Sequence, residues 1–317
     1  WGLNFRQQDV ASIDTTDPIG DDGATRVRET DDVVMDNGAA NIGFAASIDT
    51  GITMGGTAVK ANFQCELFTY FNRFSDFAFN DWCSRNSKLG LSGPWGEVMF
   101  SAWLTPYNEI TAQWIDPFYD ADNQTHSTLM GLSGFGSGYG NGGFDGANGA
   151  GMAQIGFMRR KPELWQWFSP NWGGLNVRVA WSNTTHNFGH EEQQVTDALG
   201  VVQELDPSML SIGAAYTANL ASGDEVWFGV GYQVHDEWAA VNFACSDSDD
   251  ETLRIAGRYI HDWGNGHSTR VSLAWEEMSW EWDDCATTGN SAGPMDIAES
   301  TGGNVDAERD VWLISGK

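Results

Sequence analysis

A chain of 317 residues with 44 Asp and Glu against 16 Lys and Arg carries a formal charge of -28, which argues against nucleic acid or an anionic membrane surface as partner. Its 16 Trp, 17 Phe and 38 Gly beside only 8 Pro suit many aromatic-edged strands joined by glycine turns. With a mean hydropathy of -0.35 and no long apolar run, transmembrane helices are excluded. A transmembrane barrel is not, because its inward residues are polar and dilute the hydropathy.

The chain begins at Trp1 without a Met or a basic leader, so a signal peptide is expected to have been removed. Trp1 to Val10 reads as a first strand, followed by a long acidic loop over 14–40. Ile42, Phe44, Ala46 and Ile48 alternate in a second strand. In a third, Val59, Ala61, Phe63 and Cys65 oppose Lys60, Asn62, Gln64 and Glu66. A Phe- and Asn-rich loop runs to Cys83, and Lys88 to Ser92 makes a short fourth strand. The fifth sets Val98, Phe100, Ala102 and Leu104 against Glu97, Met99, Ser101 and Trp103.

Segment 107–161 reads as irregular, with ten glycines between Gly131 and Gly151. A structureless loop of that length in a compact domain is usually functional. A hairpin follows, Glu163 to Phe168 and Leu175 to Ser182. In its second strand Leu175, Val177, Val179 and Trp181 share one face, and Asn176, Arg178, Ala180 and Ser182 share the other. Strands eight to eleven centre on 210–216, 226–234, 253–259 and 271–275. The apolar parity switches at Glu276-Glu277, which predicts either a bulge or a strand leaving the bilayer. A twelfth strand begins at Arg309.

Short turns (50–56, 93–96, 170–174, 219–224, 262–267) alternate with long loops (14–40, 66–86, 107–161, 183–207, 236–250, 283–307). Of the 44 acidic residues, 31 lie in 14–37, 107–161, 183–207, 236–251 and 283–310. Long loops on one rim and short turns on the other are the layout of an outer-membrane barrel. Acidic loops also serve simply as solubility devices.

Lys60, Lys88, Arg178, Arg254, Arg258 and Arg270 share the polar, inward parity of their strands. A charge facing lipid near the midplane would cost roughly 2–4 kcal/mol, so this parity has an energetic cause. Opposite them, Glu109, Asp116, Asp120 and Asp122 would form an acidic patch if 107–161 folds into the lumen. The two together would filter solutes by size and charge. The plainer alternative is that the arginines pair with inward carboxylates and stiffen the wall.

Enzyme signals are weak. His190-Glu191-Glu192 lacks the second His of a zinc helix, and Gly134-Phe135-Gly136-Ser137-Gly138 lacks the ending of a phosphate loop. No metal site or cofactor is expected. Calcium in the acidic loops fits their composition, but no ligand spacing supports it. Trp165, Trp167 and Trp181 on the outward face suit an interfacial girdle better than a carbohydrate platform. The four cysteines have no CxxC spacing and flank predicted loops. Two disulfides are expected, Cys65 with Cys83 across one loop base and Cys245 with Cys285 between neighbouring loops.

The order of several blocks resembles the Gram-negative general porins: Asn41-Ile42-Gly43-Phe44, Asn86-Ser87-Lys88-Leu89-Gly90, Trp95-Gly96-Glu97-Val98, Leu104-Thr105-Pro106-Tyr107 and Asp116-Pro117-Phe118. So does Arg159-Arg160 followed by Trp167-Phe168-Ser169-Pro170-Asn171-Trp172. The resemblance runs in blocks from about 40 to 183. It implies an all-β, transmembrane antiparallel β-barrel of 16 strands, of which about 12 are readable, assembled as a homotrimer among outer-membrane lipid and lipopolysaccharide. It implies that 107–161 is the inward-folded constriction loop, and that Arg159 and Arg160 belong to the basic pore lining. The chain is expected to be a single domain over 1–317, incomplete at a C-terminus that lacks the terminal aromatic. The function expected is passive diffusion of small hydrophilic solutes. The rivals are a solute-specific channel and a secreted carbohydrate-binding or adhesive β-protein.

Overall fold

The computed structural model describes residues 2–13, 27–39, 41–68, 83, 86–115, 157, 160–183, 193–196, 202–205, 208–236, 247–264, 266–285 and 303–316. Among them the chain forms β1 (Gly2–Ile13), β2 (Val27–Ala39), β3 (Asn41–Met54), β4 (Thr57–Phe68), β5 (Ser87–Gly93) and β6 (Gly96–Leu104), then helix α1 (Pro106–Ile115). There follow β7 (Arg160–Phe168), β8 (Leu175–Ser182), β9 (Gln193–Thr196), β10 (Val202–Leu205), β11 (Ser208–Asn219) and β12 (Glu225–Asp236). The series closes with β13 (Asp247–Gly264), β14 (His267–Cys285) and β15 (Gly303–Gly316).

Eleven strands, β3 to β8 and β11 to β15, form one antiparallel sheet in which every strand pairs with its neighbour in that order. β1 pairs with β2, and β9 with β10, in two separate hairpins. The twelve strands read from the sequence are β1, β3 to β8 and β11 to β15. Three expectations are corrected. The acidic segment 14–40 contains β2, segment 183–207 contains β9 and β10, and 107–161 opens with a helix rather than irregular chain.

The sheet is inside out relative to a water-soluble protein. Leu89, Leu91, Val98, Phe100, Trp165, Trp181, Ile212, Phe228, Tyr259, Val271, Leu273, Trp312 and Ile314 are exposed. The alternate positions Ser101, Gln166, Ser182, Ser211, Gln233, Thr252, Arg254, Ser272 and Glu276 are buried. In water so much exposed apolar area would be unstable, whereas in hydrocarbon it is the favourable face. Among the described residues no helix is long and apolar enough to cross a membrane.

The parity change at Glu276-Glu277 is not a bulge. β14 keeps register with β13 from Asp283 down to Ser268. Its outward face runs Val271, Leu273, Trp275 and then Glu277, Ser279, Glu281, while its inward face carries buried Met278 and Trp280. At 18 and 19 residues, β13 and β14 far exceed the roughly 9–11 needed to cross a bilayer. They therefore project beyond the apolar belt on the long-loop side. A true irregularity lies at β6–β7, where the register shifts between Ser101 and Trp103. There Glu163 takes φ 55°, a left-handed conformation rare outside glycine.

Candidate functional site

The polar face of the sheet is partly covered by α1. Thr105-Pro106 starts the helix as cap and first helical residue: Thr105 Oγ1 accepts from Asn108 N at 3.4 Å and Thr105 O from Glu109 N at 2.8 Å. Glu109 lies in the first turn, where a carboxylate suits the helix dipole. This signal was present in the sequence and fixes the start of the helix. α1 packs against β8 and β11 to β14.

Two regions of charge differ in water access. On β4 to β8, Lys88 Nζ lies 2.7 Å from Glu97 Oε2, and Glu97 Oε1 also accepts from Asn62 Nδ2 at 2.9 Å. Arg178 Nη1 is 2.6 Å from Glu109 Oε2, and Trp103 Nε1 donates to the same oxygen at 3.1 Å. The Arg178 guanidinium stacks 4.4 Å from the Phe168 ring, and Lys88 Nζ sits 5.6 Å from the Trp103 ring. These side chains stay partly wet, Arg178 at 26 % and Lys88 at 17 %.

On β12 to β14 the cations Arg254 and Arg258 are buried. Arg254 and Glu276 are paired at 0 % exposure. Tyr107 Oη from α1 donates to Glu276 and lies 2.5 Å from Arg254 Nη2, with Thr252 Oγ1 at 3.4 Å. Arg258 pairs with Glu225 beside Trp227. Lone cations here would be costly; Arg254 and Arg258 each have a carboxylate within hydrogen-bond reach.

The candidates named from sequence thus fall into groups. Lys88, Arg178, Arg254 and Arg258 lie on the polar face, each on a carboxylate. Lys60, opposite Asp49 and Ser92 in register, is exposed. Arg270 is half-buried on β14. Of the acidic group, Glu109 reaches the wall. Asp116, Asp120, Asp122 and Arg159 lie outside the described residues, as does the side chain of Arg160. Cys65 is bonded to Cys83, at a sequence separation of 18. Cys245 and the Cys285 side chain lie outside the described residues. Sequence reasoning gives Glu97, Glu225, Glu276, Trp103 and Tyr107 no role as partners of these cations. Register alone would have found Glu276, which lies directly across from Arg254.

An inside-out antiparallel sheet with short turns on one rim, long loops on the other and an inward helix on its charged face defines an outer-membrane channel. A family model describing Gram-negative porins matches residues 12–276. The chain belongs to that family: it is an outer-membrane porin with a transmembrane antiparallel β-barrel fold, located in the bacterial outer membrane. No curated protein matches it. Among solved structures it is similar to an anion-selective porin from Comamonas acidovorans, with 15% identity, 88% of each chain covered and a TM-score of 0.32. It is also similar to OmpT of Vibrio cholerae folded in vitro, with 11% identity, 99% and 95% covered and a TM-score of 0.30. A loop L8 deletion mutant of that protein gives 11% identity, 90% and 88% covered and a TM-score of 0.31. The family match, not these superpositions, identifies the chain.

Proposed function

We propose that the protein is a passive pore for small hydrophilic solutes and ions, with a weak preference for cations. One observation carries this reading: on the half-wet face of β4 to β8 the cations Lys88 and Arg178 are each held on a carboxylate, while the chain as a whole is at -28. Paired charges leave little net field in the path, so the acidic connections set the sign at low salt. The anion selectivity of the Comamonas acidovorans porin is therefore not carried over.

The working unit is a single domain over 1–317, assembled as a homotrimer among outer-membrane lipid and lipopolysaccharide. The reading includes no enzymatic step, and passive diffusion requires neither metal nor cofactor. Segment 107–161 acts as the constriction loop, with α1 as its first part. Conductance in planar bilayers and swelling of proteoliposomes in neutral sugars test the reading. Size-graded, non-saturating entry supports it. Saturable block by one solute class would replace it with a solute-specific channel, and extraction without detergent would favour the secreted rival. Cross-linking in the membrane tests the trimer.

A further inference from the structure

The inner face under α1 is built as a seat. Register places Gly213, Gly231, Arg254, Glu276 and Val311 in one row across β11 to β15. The next row is Ala215, Gly229, Ala256, Ala274 and Leu313. Small residues on β11 to β13, with Ala274 continuing them on β14, leave a shallow groove, which a helix can enter closely only where side chains are absent. At Gly231 a Cβ would stand 2.9 Å from Tyr107 Cα, so the helix backbone lies directly on the strand. Both ends are tied. Tyr107 N donates to Ser211 Oγ at 3.1 Å, and Ser315 Oγ donates to Ile115 O at 2.6 Å.

At the centre of the first tie, the Tyr107 hydroxyl sits on the Arg254–Glu276 pair. The tyrosine ring lies 4.2 Å from the guanidinium. Beneath the helix Arg254, Glu276 and Ser272 are buried, whereas Asn62, Gln64, Lys88, Glu97 and Arg178, on β4 to β8, remain half-exposed.

We propose that Tyr107 is the positioning residue of the constriction: its hydroxyl, set on the buried Arg254–Glu276 pair, pins α1 flat against β11 to β15 and confines the water path to the β4 to β8 side. This rests on the channel reading above. Arg254 then takes no part in selecting ions, although its parity matches that of Arg178. Its charge serves the seat, and Arg178 serves the path.

Two variants and two readouts test this, with barrel formation checked by heat-modifiable gel migration. Tyr107→Phe keeps the ring and removes the hydroxyl. Loss of one hydrogen bond to a charged group should speed hydrogen exchange of the α1 amides by roughly tenfold and raise open-channel current fluctuations. Gly231→Ala should lift the start of α1 toward the path and lower unitary conductance, with the hydroxyl still in place. Exchange and current noise of Tyr107→Phe equal to those of the unmodified protein would overturn the proposal, as would unchanged conductance of Gly231→Ala. If the unmodified protein conducts nothing, the channel reading fails, while exchange in α1 still decides the latch.

Discussion

Glu109 on α1 stands 2.6 Å from Arg178 on β8, so the helix in the lumen neutralises a cation of the wall. The pair is partly wet, where its energy is modest and its effect on passing ions is local. Glu109→Gln leaves Arg178 unopposed and should shift the reversal potential toward anions. Arg178→Gln should shift it toward cations. Both shifts should shrink between 0.1 M and 1 M salt, as the Debye length falls from about 10 Å to about 3 Å. Arg258, buried on Glu225, should add little when neutralised beside Arg178. Equal and opposite shifts absent at low salt would show that the wall pair does not face the path.

Cys65 and Cys83 close a loop with a sequence separation of 18. In the chain-entropy model a loop of this size constrains the unfolded chain by about 3 kcal/mol. Replacing both with serine should lower the urea midpoint for folding into lipid vesicles accordingly and leave unitary conductance unchanged. Alkylation of both thiols under denaturing, non-reducing conditions would show that the bond is absent from the isolated protein.

The alternation of apolar and polar residues made the strands legible because a membrane strand must satisfy two solvents at once. Leu273 and Ser272 cannot exchange faces without placing a hydroxyl in lipid. The same alternation assigned parity to Arg178, Arg254 and Arg258 without distinguishing them. Parity says which side of the wall a residue faces, not what lies over it. The difference between Arg178 and Arg254 comes from α1, whose Thr105-Pro106 start was visible but whose destination depends on the small residues Gly231 and Ala256, more than a hundred positions away. β2, β9 and β10 were illegible for another reason: β2 is polar and acidic, β9 and β10 are only four residues each, and none shows the alternation that burial on one face imposes.

At the short turn between β11 and β12, Asp224 accepts from Ser222 Oγ and Tyr259 Oη, each at 2.8 Å, and from Asp262 N at 3.2 Å. His261 Nδ1 lies 2.8 Å away. The hydrogen bond from Ser222, followed by that from Tyr259, holds its pKa down from 3.8 to about 2. Because the folded value lies below the ordinary one, this carboxylate stabilises the turn fully above pH 3.8 and loses that contribution as pH falls through about 2. The amide of Asp262 should therefore exchange faster as pH falls through this window, beyond the intrinsic pH dependence. Asp224→Asn should abolish the step; a step that survives in that variant would assign it to another group.

The outward face of β14 and β15 places the edge of the hydrocarbon between two adjacent rows. Trp275 lies directly across from Trp312, ring centroids 6.3 Å apart, and the Trp275 Nε1 donates to Asp310 Oδ1 at 3.2 Å. Indole rings with an apolar body and a polar edge favour the headgroup level. One step outward, Glu277 faces Asp310, and one step inward Leu273 faces Ile314. Leu273→Arg puts a cation on the lipid side near the middle of the belt and should cost roughly 2–4 kcal/mol. Glu277→Arg lies in water, where it also relieves the repulsion between two carboxylates set directly across strands, so its cost should be near zero or its sign favourable. Urea titrations of folding into vesicles measure both. A large penalty at 277, or none at 273, would move the boundary to a different row of the sheet.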